Sequence, residues 1–212
     1  MSKVYIVRHG ESLWNVEHRL QGGQDPALSE AGYGQAARVA EALEGLGVAA
    51  VYSSPLRRAS ETARIIAGAL HVPLHVHADL REMSLGAWEG TALRDLMARE
   101  EKTYLAWLAA PADCSPPGGE PMGAFAERVM AALTEVREKY VLQNTVLVTH
   151  GVVARVLVAR TLGLDLNQIY RMRLSNGSVS CLIFDGDFPR VTLLNQVRHL
   201  KTRIGEDPHT LV

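Results

Sequence analysis

The chain alternates two kinds of apolar pattern. Three runs, Val4-Tyr5-Ile6-Val7, Val48 to Tyr52 and Thr145 to Val148, are short, rich in valine and bounded by turn-forming or polar residues. Runs of that kind predict strands buried on both faces. Between them, apolar residues recur every three or four positions. After Ser29, a candidate N-cap, come Ala36, Val39, Ala40, Leu43 and Leu46, and then Ala59, Ala63, Ile66, Ala67 and Leu70. Further on, Phe125, Val129, Leu133, Val136 and Tyr140 keep the same stripe, and Val152, Val153, Val156 and Leu157 follow the third strand directly. This spacing predicts amphipathic helices. Strands alternating with helices predict an α/β fold, a three-layer α/β/α sandwich around a mostly parallel sheet. Near the C-terminus, Ser178 to Phe184 and Val191 to Leu194 flank Asp185-Gly186-Asp187. This hairpin signal adds one antiparallel edge strand.

Residues 84 to 121 break the pattern. Gly86 and Gly90 precede a short amphipathic piece around Leu93, Leu96 and Met97, and Pro111, Pro116, Pro117, Gly118 and Gly119 follow. The stretch is too polar and interrupted for core strands, so it is expected to form a lid-like insertion over one end of the sheet. Tyr104, Leu105 and Leu108 would pack it down. The remainder reads as a single domain over 1–212, and the polar tail from Arg198 is expected to be loosely ordered.

Composition narrows the partners. A chain of 212 residues can bury roughly 70% of its unfolded surface. It is 47% hydrophobic and 21% charged, with 22 Lys plus Arg against 23 Asp plus Glu. That balance predicts a globular protein with no nucleic-acid partner and no membrane span. Val4 to Val7 is too short for the core of a secretory signal, which predicts a cytoplasmic protein. Cys114 and Cys181 have no C-x-x-C spacing, so free thiols are expected, and neither a disulfide nor a zinc site. The oligomeric state is left open, a homodimer being one option.

The chemistry gathers where the strands end. Val7 is followed by Arg8-His9-Gly10, Tyr52 by Ser53-Ser54-Pro55-Leu56-Arg57-Arg58, and Val148 by Thr149-His150-Gly151. In open α/β sheets the carboxyl ends of strands line the ligand crevice, so these clusters are predicted to converge. Leu80-Arg81-Glu82-Met83 is placed to bring a carboxyl group to the same rim. Guanidinium and imidazole groups in one crevice repel each other unless a multiply charged anion joins them, and arginine's planar fork matches phosphoryl oxygens. No G-x-x-x-x-G-K-[ST] loop occurs, so side chains must hold the anion, helped by helix N-termini after Gly10, Pro55 and Gly151. One imidazole can then attack phosphorus to form a phosphohistidine. Glu82 is the best-placed acid for the leaving alcohol. The reaction needs neither a metal nor a cofactor.

The bland readings of the neighbouring residues differ. Arg57 is expected in a surface salt bridge, Glu89 in a lid or structural role, and Glu11 as a support for the loop. His75 and His77 would share one strand face but, like His71, lack a third metal ligand at sensible spacing.

"VRHGESLWN", "RLQGGQDPALSEAGYGQA", "SSPLRRASETA", "LREMSLGAWEG" and "VTHG", in that order over nearly the whole chain, resemble the histidine phosphatase superfamily. The resemblance is to the branch with cofactor-dependent phosphoglycerate mutases and broad-specificity phosphatases. It implies His9 as the phosphorylated nucleophile, Arg8, Arg58 and His150 as the phosphate pocket, and Glu82 as the proton donor. It also implies phosphate contacts at Asn15, Gln21 and Gly22. Glu82 is followed by Met83-Ser84-Leu85-Gly86 and not by the Arg-His-Tyr-Gly of the mutases, and the insertion is short. Both features imply a phosphatase acting on small phosphorylated substrates. The rivals are a phosphoglycerate mutase and a non-catalytic phospho-ligand binding module. Pro121 stands where the family often has Ser or Thr, and is expected in the first turn of the next helix.

Overall fold

Alternation along the strands decides which side chains meet which helices. In the computed structural model, which describes residues 1–186 and 188–200, the chain runs β1 (Ser2–Arg8), α1 (Leu13–Val16), α2 (Glu30–Leu43), β2 (Val48–Ser53), α3 (Arg57–Leu70) and β3 (Leu74–Val76). It continues through α4 (Leu93–Ala109), α5 (Met122–Lys139), β4 (Asn144–Thr149), α6 (Gly151–Leu162), β5 (Val179–Asp185) and β6 (Phe188–Gln196). The strands form one sheet in the order β3-β2-β4-β1-β5-β6. β1, β2, β3 and β4 are parallel. β5 runs against β1, and β6 returns beside β5 as the edge. The expected hairpin is therefore present, although Asp187 lies outside the described residues.

Tyr5, Val7, Val51, Val146 and Val148 face one way, onto Val39, Ala40 and Leu43 of α2 and Ala59, Ala63, Ile66 and Ala67 of α3. Their neighbours Val4, Ile6, Ala50, Tyr52 and Leu147 face the other way, onto Phe125, Val129 and Leu133 of α5 and Val153, Val156 and Leu157 of α6. The three-layer sandwich follows from this two-residue period. Each fully buried Val, Leu or Ile contributes on the order of 1.5–3 kcal/mol of transfer free energy. Ser29 caps α2 by accepting from the Gly32 N–H, as its place before the stripe predicted. Leu46 departs from the expected stripe. The helix stops at Leu43, and the chain turns through Gly45 and Gly47, both at positive φ, leaving Leu46 exposed.

The segment 84–121 is more regular than its composition suggested. It holds a short 3-10 turn over Gly86–Trp88 and the whole of α4, seventeen residues with a break in helical geometry at Glu100. Trp88, Leu96, Tyr104 and Trp107 are buried in the core on the α5–α6 face, whereas Leu105 points to solvent. Tyr104 and Leu105 are neighbours on the helix, and only one can face inward. The start of the tail is also better anchored than expected. Leu200 is buried, and its carbonyl accepts from Arg38 Nη1 at 3.2 Å. The residues beyond it lie outside the described part of the chain.

β1 and β4 are adjacent and parallel, yet the chain leaves β1 for α2 on one face and leaves β4 for α6 on the other. This is a topological switch point, and the crevice outside the carboxyl ends of the two strands is where such sheets bind ligands.

Candidate active site

Strand register builds the centre of the site. Arg8 pairs with Thr149, so the residues that follow them, His9 and His150, emerge side by side with ring centroids 5.2 Å apart. Gly10 lets the chain turn beneath them, because a side chain there would collide with the Gly32 carbonyl of α2. His9 Nδ1 lies 2.7 Å from the Gly10 carbonyl. A carbonyl only accepts, so Nδ1 carries the proton and Nε2 keeps its lone pair. Arg58 Nε donates to that Nε2 at 3.3 Å. Burial, then the Arg58 and Arg8 charges, hold the His9 pKa well below its ordinary 6.5. The ring is a neutral base with its nucleophilic nitrogen turned toward cations.

His150 follows β4 as His9 follows β1. Its Nε2 is 2.7 Å from Ser54 Oγ, beyond the end of β2, and its buried Nδ1 has no partner among the described residues. Its pKa too is pushed well down, by burial first and then by Arg58, His9 and Arg8.

Arg58 enters from the first turn of α3 and is only 1% exposed. Nη1 donates to the Gln24 carbonyl at 2.6 Å and Nη2 to the Gly22 carbonyl at 2.9 Å. Three of its five N–H groups are thus used, and two remain for a ligand. Burial lowers its pKa to about 10, so it stays charged at neutral pH. Arg8, also buried, donates through Nη1 to the Leu174 carbonyl at 2.6 Å. Arg57 points the other way and pairs with Glu61 at 2.7 Å on the surface, as expected for one residue of an adjacent pair on a helix.

Glu82 reaches the same rim. Its Oε1 accepts from its neighbour Met83 N–H at 2.9 Å and its Oε2 from Val152 N–H, in the first turn of α6, at 3.2 Å. The loop that carries it is clamped by Arg128 of α5, which donates to the carbonyls of Asp79, Arg81 and Glu82 and to both oxygens of Glu120. Glu89 ties loops together: its carboxylate accepts from the N–H groups of Gly23 and Leu85 and from Gln24 and Ser84. Glu11 accepts from Ser29 Oγ at 2.7 Å, supporting the turn into α2.

Arg8, His9, Arg58, Glu82, Gln21, Gly22 and Gly151 line one pocket of about 50 Å³. His150 stands behind it against His9. Asn15 does not line it: its buried Oδ1 accepts from Ser12 N–H and Oγ and from Asn176 Nδ2. A short helix turn at 13–16 directs that side chain into a capping box and away from the crevice. Gln21 Oε1 also lies 2.9 Å from Ser12 Oγ, so the same cluster holds the loop carrying Gln21 and Gly22. Gly22, at φ +50°, also lies where a side chain would strike Glu89.

The remaining candidates have protein partners. His75 Nε2 lies 3.0 Å from Tyr140 Oη, and His77 Nε2 3.0 Å from Glu135. Cys114 and Cys181 are free. Pro121 is the N-cap of α5, one place before the first turn where it was expected. No helix among the described residues is long and apolar enough to cross a membrane.

The family model described as histidine phosphatase superfamily (branch 1) matches residues 4–197. The chain belongs to this superfamily. It is 38% identical over 180 residues, 85% of this chain and 84% of the relative, to a probable phosphoglycerate mutase GpmB of Erwinia tasmaniensis. Among solved structures it is similar to YhfR of Bacillus stearothermophilus, with a TM-score of 0.89 and 32% identity over 94% of this chain and 100% of that one. It is also similar to an α-ribazole phosphatase of Shigella flexneri, with a TM-score of 0.81 and 30% identity over 92% of this chain and 96% of that one.

In this histidine phosphatase superfamily member, several site residues escaped the reading of the sequence. Leu85, Tyr104 and Trp107 from the 84–121 segment and Arg155 and Tyr170 from α6 and the turn beyond it line the pocket. A signal existed for Arg155, the only charge within Val152–Ala159 of an otherwise apolar helix. Arg128 and Ser54 gave none, since an arginine on an amphipathic helix and a serine after a strand are ordinary.

Proposed function

We propose that the protein hydrolyses small phosphomonoesters through a phosphohistidine on His9. The observation that carries the reading is the orientation of the His9 ring: Nδ1–H committed to the Gly10 carbonyl, Nε2 unprotonated and accepting from Arg58. Nε2 attacks phosphorus as the ester P–O bond breaks, and Glu82 gives its proton to the departing alkoxide. A water molecule then returns a proton to Glu82 as its oxygen bonds to phosphorus and the P–N bond breaks. Arg8, Arg58 and His150 offset the charge on the equatorial oxygens throughout. Gly22 and Gly151 allow close backbone approach.

A second reading, phosphoglycerate mutase, has the name of the 38% identical relative in its favour. Against it, the insertion contributes Leu85, Tyr104 and Trp107 to the pocket and no cation, which leaves a phosphohistidine open to water. The two readings separate in one assay. With 3-phosphoglycerate, with and without bisphosphoglycerate primer, the enzyme should release inorganic phosphate and form no 2-phosphoglycerate. Acid-quenched protein should carry label from a 32P-labelled ester, and His9→Ala should carry none. Isomerisation without net phosphate release would establish the mutase instead, and no turnover of any monoester a binding module.

A further inference from the structure

Ser54-Pro55-Leu56 carries the chain from β2 into α3. Sheet order sets this turn against the end of β4, where Ser54 N–H donates to the Val148 carbonyl at 3.1 Å. Ser54 and His150 are both fully buried, and Ser54 Oγ lies 2.7 Å from His150 Nε2. The distance alone does not say which atom donates, but the rest of the turn does. Proline has no N–H, so the first free donor after Ser54 is Leu56 N–H, which reaches Ser54 Oγ at 3.2 Å. That bond uses one of the two lone pairs of the oxygen. Were Nε2 also to donate to Oγ, the hydroxyl proton would be buried with no partner among the described residues, a costly arrangement. With Ser54 Oγ donating to Nε2, both groups are satisfied.

A neutral imidazole carries one proton. If Nε2 accepts, that proton is on Nδ1. His150 is neutral near pH 7, because burial first and then the charges of Arg58, His9, Arg8 and Arg128 hold its pKa well below 6.5. Its Nδ1 is buried and has no partner among the described residues, and an N–H so placed calls for an acceptor. The His150 ring stands 5.2 Å from the His9 ring, so a phosphoryl group within reach of His9 Nε2 brings anionic oxygens beside it. We infer that Ser54 is a positioning residue whose hydroxyl fixes His150 as the Nδ1–H tautomer, so that His150 meets a phosphoryl oxygen as a neutral hydrogen-bond donor. The opposite tautomer would turn a lone pair toward those oxygens and repel them. His9 holds its proton on the same atom, Nδ1, but through an acceptor, the Gly10 carbonyl. One ring thus offers a lone pair to phosphorus, and the other offers a proton to its oxygens.

The inference rests on the phosphatase reading for the phosphoryl group, but its first test needs no turnover. Heteronuclear NMR of the unaltered protein carrying labelled histidine reads the tautomer directly, with the His150 signals assigned by their loss in His150→Ala. Nδ1 should be protonated and Nε2 not, and in Ser54→Ala the Nε2–H form should appear. A protonated Nε2 in the unaltered protein would overturn the inference whether or not any ester is hydrolysed. Where esters are turned over, Ser54→Ala should lower kcat/KM about tenfold or more, the size of one hydrogen bond to a charged group. In a His150→Ala background the same substitution should cost less than about twofold, because the hydroxyl then has no ring to orient. An equal loss in both backgrounds would make Ser54 a scaffold residue and sink the inference. Should Ser54→Ala not fold, the tautomer in the unaltered protein decides alone.

Discussion

At the residue scale, the site works by assigning different states to similar groups. His9 is held neutral by burial and by Arg58 and Arg8, with its tautomer set by one backbone carbonyl. A nucleophile that stays unprotonated below the ordinary histidine range should show no loss of kcat/KM on the acid side near pH 6.5 from its own protonation; that limb should appear lower. Glu82 has a different task, proton delivery, and its variant separates the two. Glu82→Gln should slow alkyl phosphates by about a hundredfold or more, within the range for general acids. p-Nitrophenyl phosphate should slow far less, since its leaving group needs little protonation. Comparing kcat for both esters checks the assignment, and equal slowing would remove Glu82 from the role.

At the element scale, α4 is the part that propensity misjudged. Glycines precede it and prolines and glycines follow it, and its own sequence is rich in charge, so its apolar positions looked like a fragment. Packing overrides that: Leu96 is fully buried, and Trp88, Tyr104 and Trp107 stack edge to face beneath it on the α5–α6 side. Trp88 Nε1 donates to Glu100 at 3.0 Å, beside the break in the helix. The helix is thus one wall of the pocket as well as a cover. Leu96→Ala should cost about 2–5 kcal/mol in denaturant unfolding, the range for a buried leucine whose cavity does not collapse. A cost below 1 kcal/mol, a surface value, would mean that α4 is not part of the core.

At the scale of the whole molecule, the crevice couples catalysis to stability. His9 and His150 are both buried with pKa values well below 6.5. The unfolded chain takes up protons near 6.5, whereas the folded chain does not until the lowered values are reached. Stability is therefore full above about pH 6.5 and falls as the pH drops below it, by about 1.4 kcal/mol per pH unit for each such proton. Two histidines should double that slope, and inorganic phosphate, by stabilising the charged crevice, should raise the melting temperature. Melting curves between pH 7 and 5 check both, and a flat profile would contradict the burial of the imidazoles.

The strands, the main helices and the chemistry at the strand ends were legible in the sequence because each has a local cause. Period-two and period-three-to-four patterns report burial directly, and Ser29 caps the helix that follows it by contacts within one turn. His9, Arg58, Glu82 and His150 each follow an element at a recognisable boundary, so the rule for α/β crevices sufficed to bring them together. Only the tertiary structure decided the rest. Asn15 turned from the crevice into a cap, Arg128 became the clamp on the Glu82 loop, and Arg155 with Tyr170 and Trp107 closed the pocket. Those roles depend on contacts between residues more than fifteen positions apart, and no single-residue propensity or period encodes such meetings. The folded packing alone selects them, by leaving each buried polar group the partner, or the lack of one, that sets its chemistry.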